Sequence, residues 1–337
     1  MKKMVFFLIF LIFIVGCVSF KPEASYCESK TDLSEEEIAS FEEISNEYLG
    51  YIAEGDYIEL DKHLSSLFKE TNSLEDIEMG IEDFKISQEL GDFERWDFID
   101  VFKIKSTPDH LAFCGTSISD KKKSFFVYTT KGVSSYVLVT QEVSTSSNVT
   151  LYFFNELIEE DNEWKLLALS FQLKELSGKS SDYFIGIADE QFQKGNKRNA
   201  VIFYSVGSKL LINNYLLRTA YVDEIRDKTD SIGYEDIPQE EPLEWTSESG
   251  KTFVVYQMMP QLLQKEIALQ VNFVTSDLSD QEQVDSEAKE LAIYINKNFQ
   301  EYQEVFDGLI IKAVERIPEP GEVVDAYNNV YRFDELN

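Results

Sequence analysis

Six segments rich in β-branched and aromatic residues follow one another in the first half of the chain, and they restrict the fold more than any other part of it. Residues of these types favour strands. Short polar turns, among them Lys131-Gly132 and Asp161-Asn162, separate several of the segments, which predicts meander-like antiparallel pairing. The predicted strands are 93–105, 110–119, 123–130, 134–143, 148–160 and 163–173.

A helical region precedes these strands. Ser34 has the character of a helix N-cap, and Glu37 lies three residues later, where its carboxylate can complete a capping box. Apolar residues then recur every three or four positions as far as Ile52, and Gly55-Asp56 ends the pattern. Similar patterns follow, so we predict three helices before residue 90. Helices followed by an antiparallel sheet predict an α+β domain over residues 34–177.

Residues 178–230 return to a helical period. The spacing of this segment resembles one tetratricopeptide repeat, with small residues at 188 and 200, Gly195 at the turn and Tyr204. Gln191 replaces the usual aromatic residue, Ile212 replaces the terminal proline, and no second copy follows 34 residues later. Because such arrays need three or more repeats, we expect a single helical hairpin.

The last part of the chain begins with an acidic linker, predicted over 231–250, in which Trp245 is expected to anchor onto a neighbouring domain. Residues 251–337 then alternate between strand and helix patterns. They predict a small α+β unit of the order β-β-α-β-β.

The N-terminus carries two lysines, an apolar run and Ile14-Val15-Gly16-Cys17. This order resembles a bacterial lipoprotein signal peptide with its lipobox, and the run is too short for a spanning helix. The resemblance implies that residues 1–17 direct export, and that Cys17 is the lipidated residue, carrying diacylglycerol and an N-acyl chain such as palmitate. An ordinary signal peptide or a short anchor is the alternative. We expect 18–33 to be a flexible tether.

The resemblance implies an extracytoplasmic location in the cell envelope, where cysteines can be oxidised. Cys27 and Cys114 could therefore form a disulfide, although Cys27 falls in the predicted tether and Cys114 could equally be a buried thiol.

The chain has 62 acidic and 31 basic residues, and loss of Lys2 and Lys3 with the leader would change its net charge from −31 to −33. Such a surface repels nucleic acid and anionic lipid headgroups, which excludes a nucleic-acid function.

The hairpin that ends the first domain, from Asp161 to Leu166 with the sequence DNEWKL, together with the preceding helices and sheet, resembles the nuclear-transport-factor-2-like superfamily. That resemblance implies a cone in which the sheet wraps around the helices. Members include ketosteroid-isomerase-type enzymes, which need an Asp or His base in the cone, and ligand-free interaction modules. Candidate bases are Asp97, Asp100, Asp109 and His110, although Asp97 and Asp100 cannot share one face of a regular strand.

Other catalytic signatures are incomplete. Gly178-Lys179-Ser180 lacks the first glycine of a P-loop, and the Ser286-x-x-Lys289 of penicillin-interacting enzymes lacks its K-T-G partner. With only two histidines and no C-x-x-C motif, we expect neither a zinc site nor a cofactor. We therefore predict a non-catalytic binding or scaffold protein that is anchored to the membrane through Cys17 and has an envelope protein as its partner. Binding or transformation of a small apolar ligand in the cone is the alternative.

Overall fold

The fold is described here from a computed structural model. It describes residues 26–337 except 89, 106–110, 116–120, 129–132, 134, 148, 234–236, 239–240, 264–265, 320–321, 323 and 337. The lipobox, Asp109, His110 and the Lys131-Gly132 turn therefore lie outside the described residues. The remaining chain alternates helices with β-sheets, which confirms the α+β class.

The first unit contains a sheet with the strand order β1-β2-β5-β6-β7, all antiparallel. A second sheet has the order β10-β4-β3. The elements of this unit are β1 (Tyr26–Ser29), α1 (Glu35–Glu54), α2 (Tyr57–Lys62), α3 (Ser66–Thr71), α4 (Leu74–Ser87), β2 (Phe93–Lys105), β3 (Leu111–Gly115), β4 (Ser124–Tyr128), β5 (Ser135–Thr145), β6 (Thr150–Glu160), β7 (Glu163–Leu173) and β10 (Leu217–Thr219).

The predicted caps form as expected. The Ser34 hydroxyl accepts a hydrogen bond from the Glu37 amide at 3.2 Å, and the Glu37 carboxylate accepts one from the Ser34 amide at 3.1 Å. Gly55 ends α1 with φ of 69°, a left-handed conformation that glycine adopts without strain. Asp161 and Asn162, with φ of 54° and 65°, make the tight turn between β6 and β7.

Four helices form where three were expected, because the second is interrupted. The Leu166 amide donates to the His63 carbonyl at 2.8 Å, and the Ser65 amide donates to the Leu166 carbonyl at 2.9 Å. These bonds to β7 replace the helical ones. Ser65 then caps α3 by accepting from the Phe68 amide at 3.1 Å.

The prediction of a simple meander was wrong for β3 and β4. Strand β2 pairs with β5, whereas β3 and β4 leave the main sheet: they pair with each other, and β4 also pairs with β10. The main sheet is thus covered on one face and partly covered on the other. Helices α1 to α4 cover one face, and the small sheet covers part of the other, around Tyr136, Leu138 and Phe154.

The second unit is a five-stranded sheet of order β11-β12-β13-β14-β15, in which only β13 and β14 are parallel. Its elements, together with the small β8-β9 ladder before it, are β8 (Glu175–Leu176), β9 (Lys179–Ser180), α5 (Ser181–Lys194), α6 (Lys197–Leu210), α7 (Tyr221–Ile232), β11 (Leu243–Thr246), β12 (Thr252–Leu263), β13 (Glu266–Val274), α8 (Gln281–Asn298), β14 (Gly308–Val314) and β15 (Tyr327–Arg332).

The helical hairpin α5-α6 forms as predicted, but it is not separate from the C-terminal unit. Its buried residues belong to the same core as α8 and the sheet. The predicted linker 231–250 is also wrong in part, since residues 243–246 form β11. Trp245 is buried against Tyr294 and Phe299 of this same unit, with ring centroids 5.8 and 5.1 Å away, and not against a neighbouring domain.

Candidate functional site: an apolar groove beside strand β7

A groove of about 490 Å³ lies between α4 and β7, the edge strand of the main sheet. Its volume falls in the range of about 300–1,000 Å³ that ligand sites occupy. It is open to solvent along one side. Most of its lining is apolar, from Phe68, Ile77, Ile81, Phe84, Leu167, Leu169, Phe171 and Tyr215.

The helix side of the groove follows from local sequence. The Ser73 hydroxyl accepts from the Asp76 amide at 3.2 Å and begins α4 with a capping box. Ile77, Ile81 and Phe84 then fall on one face of the helix, because they are three or four positions apart. The Phe84 ring stacks on Phe171 of β7 at 5.8 Å. The floor of the groove is therefore a layer of apolar side chains from α4 and β7.

Tyr215 reaches the groove from a distant part of the chain, the segment between α6 and β10. The residue is 62% exposed, and its hydroxyl donates a hydrogen bond to the Leu169 carbonyl. Burial of that hydroxyl, and secondarily the charge of Glu156, raise the pKa of Tyr215 to about 12. The phenol thus stays protonated near neutral pH and remains a donor.

The helix that borders the groove is acidic. Helix α4 carries one lysine, Lys85, against five acidic residues: Glu75, Asp76, Glu78, Glu82 and Asp83. Within the groove, the side-chain and backbone hydrogen bonds of Ser73 hold the pKa of Asp76 below its usual value. The carboxylate is thus ionised and already engaged as a cap. The groove thus has a mostly apolar lining, and of the five acidic residues of α4 only Asp76 is among its described lining residues.

The space between the helices and the sheet is filled. Tyr48, Leu49, Ile52 and Phe153 are almost fully buried there. A polar cluster lies among them: the Ser45 hydroxyl donates to Gln141 at 2.5 Å and accepts from Asn155 at 2.7 Å. The groove lies at the edge of this layer.

Asp97 and Asp100 lie on one face of β2, contrary to the expectation for a regular strand. The register shifts at Ile99, so that Asp97 faces Glu142 and Asp100 faces Thr140 on β5. Such a bulge inserts one extra residue and reverses the alternation. Both carboxylates therefore point away from the helices. Asp97 pairs with Arg95 at 2.6 Å, and burial raises the pKa of Asp100.

The remaining sequence candidates are dispersed. Ser286 and Lys289 are exposed on α8, and Gly178 makes a turn between β8 and β9 with φ of 71°. The His63 ring stacks on Tyr51 at 5.6 Å. Among the described residues, no group of three histidine, cysteine or acidic side chains could hold a metal ion.

Cys27 and Cys114 are joined by a disulfide, with their Cα atoms 5.5 Å apart. Cys27 belongs to β1, which pairs with β2, so residues 26–29 are part of the sheet and not of a flexible tether. The bond connects the main sheet to the small sheet. The sequence could offer the pairing only as one alternative, because it did not reveal β1.

Tyr215 and Glu156 are the residues that the sequence did not single out. Glu156 is fully buried and lies opposite Leu138, on the face covered by the small sheet. Neither residue belongs to a motif, and both positions follow from long-range pairing. In the part of the chain that the structure describes, no helix is long and apolar enough to cross a membrane. No protein-family model, curated protein or solved structure matches this chain.

Proposed function

We propose that this protein is a lipid-anchored, non-catalytic binding protein of the bacterial cell envelope, and that the groove beside β7 is its binding surface. The groove is the observation that carries the binding function, because it is apolar and open and contains no paired acid and base among its described residues. The lipobox supports anchoring through Cys17. The Cys27–Cys114 disulfide supports an oxidising compartment.

The partner that fits best is a protein segment with apolar side chains flanked by lysine or arginine. The apolar floor of the groove would bury the partner's apolar side chains, and the acidic residues of α4 would attract its lysine or arginine. Two backbone positions of β7 are already used, by His63-Ser65 at Leu166 and by Tyr215 at Leu169. The partner would thus bind through its side chains and not as an added β-strand.

Gly80 offers a test of the groove. It lines the groove within α4, and a Cβ there meets no atom within 4 Å, so the backbone at this position has room for a side chain to begin. Gly80→Arg would fill the groove and add a repelling charge. Gly186→Arg, on the exposed face of α5, is the matched control, because a Cβ there also meets nothing.

Crosslinking in the native envelope provides the measurement. A photoreactive residue at Tyr215 should capture a partner protein, Gly80→Arg should abolish the capture, and Gly186→Arg should retain it. Equal capture in both variants, or none from the unaltered groove, would reject the groove as the binding surface.

Anchoring is tested separately by metabolic labelling with an alkyne-bearing fatty acid in a bacterial host. The chain should be labelled, Cys17→Ser should not, and Cys27→Ser should keep the label. Labelling of Cys17→Ser would reject lipidation at this residue without bearing on the groove.

A small apolar ligand in the groove is the second candidate, favoured by a volume of about 490 Å³. Native mass spectrometry of the purified protein distinguishes the two. A bound apolar molecule that Gly80→Arg displaces would support this candidate over the protein partner.

A further inference from the structure

A second cleft, of about 270 Å³, lies between α6, α7 and the segment that leads to β10. Three basic side chains line it, Lys209, Arg218 and Arg226, and no acidic side chain is among its described lining residues. The chain as a whole has twice as many acidic as basic residues, 62 against 31. A cationic cleft is therefore contrary to the overall charge of this protein.

Arg218 is held in a fixed position. It forms two hydrogen bonds to the Asp223 carboxylate, at 3.0 and 3.1 Å, and its guanidinium lies 5.5 Å from the centre of the Phe126 ring. Its Nε is buried and finds no partner among the described residues. Buried donors are normally satisfied, so the Arg218 guanidinium keeps a hydrogen-bonding capacity that the described residues do not use.

The carboxylate of Asp223 does not neutralise the cleft. It serves both Arg218 and Arg226. Lys209 is exposed, and among the described residues no carboxylate lies within 4.0 Å of its ammonium group. Among the described residues, Asp223 is thus the one carboxylate that forms an ion pair with these three cations.

Two of the hydroxyl groups that line the cleft already donate hydrogen bonds to backbone carbonyls. The Ser208 hydroxyl donates to the Ser205 carbonyl at 3.0 Å, and the Thr229 hydroxyl donates to the Ile225 carbonyl at 2.8 Å. The Ser205 hydroxyl has no such bond within the described chain and also lines the cleft. It can add a neutral donor to the charged ones.

We propose that this cleft binds the phosphate group of a small organic phosphate, with Lys209 and Arg226 as the principal cationic contacts and Arg218 as a fixed positive charge beside them. Arginine and lysine are the usual phosphate-binding side chains. The phosphate could belong to a soluble phosphomonoester or to a phospholipid headgroup, since both present the same oxyanion chemistry. The site is independent of the groove beside β7.

Calorimetric titration of the full chain in a neutral detergent tests the site, with glycerol 3-phosphate and with dihexanoyl phosphatidylglycerol as probes. Lys209→Gln should weaken binding by about tenfold or more, because it removes a charged hydrogen-bond donor. Lys289→Gln removes the same charge from exposed helix α8 and should leave the affinity unchanged.

Binding of glycerol 3-phosphate with this dependence on Lys209 would support a soluble phosphate. Binding of the lipid alone with the same dependence would support a headgroup. If neither probe binds, or if Lys209→Gln and Lys289→Gln weaken binding equally, the site does not exist. Circular dichroism of each variant shows whether it is folded, and Arg226→Gln provides a second, independent loss of charge.

Discussion

Removing the Cys27–Cys114 disulfide should strongly destabilise the first unit. The two cysteines are 87 positions apart, so the bond closes a loop of about 88 residues in the unfolded chain. In the chain-entropy model, a loop of this length corresponds to about 4.6 kcal/mol at 25 °C. The bond also connects β1, at the edge of the main sheet, to β3 of the small sheet, which belongs to a separate ladder.

Thermal unfolding of the Cys27→Ala/Cys114→Ala variant provides the assay. For a domain of 150–250 residues, 1 kcal/mol shifts Tm by about 2–4 °C, so we expect a decrease of about 9–18 °C. The variant also removes two sulfur atoms, and Cys114 is fully buried. Treatment of the unaltered protein with a reductant isolates the cross-link, since reduction leaves both side chains in place.

The reasoning requires that the reductant lowers Tm in the unaltered protein and has no effect on the double variant. Thiol titration after denaturation should detect neither Cys27 nor Cys114 before reduction. A decrease in Tm of less than about 2 °C on complete reduction would refute the loop-entropy argument. Free thiols at both positions in the exported protein would refute the bond itself.

Two further predictions concern the second unit. Gly207→Ala in α6 should lower the free energy of unfolding by about 1–2 kcal/mol, because its Cβ would lie 2.6 Å from Ile185 Cγ1. Gly186→Ala, whose Cβ meets no atom within 4 Å, should raise the free energy of unfolding by about 0.5–1 kcal/mol. Urea unfolding that shifts equally in both variants would contradict this. Burial raises the pKa of Glu287, but hydrogen bonds from Lys251 and two neutral side chains lower it more, so that it lies below the ordinary 4.5. The stabilisation by ionised Glu287 is therefore present above pH 4.5 and is lost as the pH falls through the lower folded pKa. Glu287→Gln should lower Tm at pH 7, and the decrease should become smaller as the pH falls below 4.5. A decrease in Tm that does not change with pH would contradict this prediction.

The start and end of the first helix and most strands of this protein could be predicted from the sequence, whereas the groove could not. Ile77, Ile81 and Phe84 follow a visible helical period, but nothing in that period shows that part of the face is left open. The strand side of the groove exists because β7 is an edge strand. Tyr215 lines the groove only because it contacts the Leu169 carbonyl, 46 positions away in the sequence.

The two aspartates of β2 also show the difference between what the sequence predicts and what strand pairing decides. Alternation along a strand is a sound rule, and it placed Asp97 and Asp100 on opposite faces. The bulge at Ile99 brings them to one face, and it arises from the pairing of β2 with β5. A sequence does not mark such a bulge, because the extra residue is defined only by its partner strand.

Caps, turns and periods act within three or four residues, and for that reason the roles of Ser34, Gly55 and the Asp161-Asn162 turn follow from the sequence alone. The lipobox is likewise a prediction from four adjacent residues, 14–17, and it needs no fold. Other features depend on contacts between distant segments. They are the strand order, the Cys27–Cys114 bond, the shared core of the hairpin and the C-terminal sheet, the groove beside β7 and the cationic cleft. Those contacts form only where complementary surfaces meet, and so the tertiary structure alone decided them.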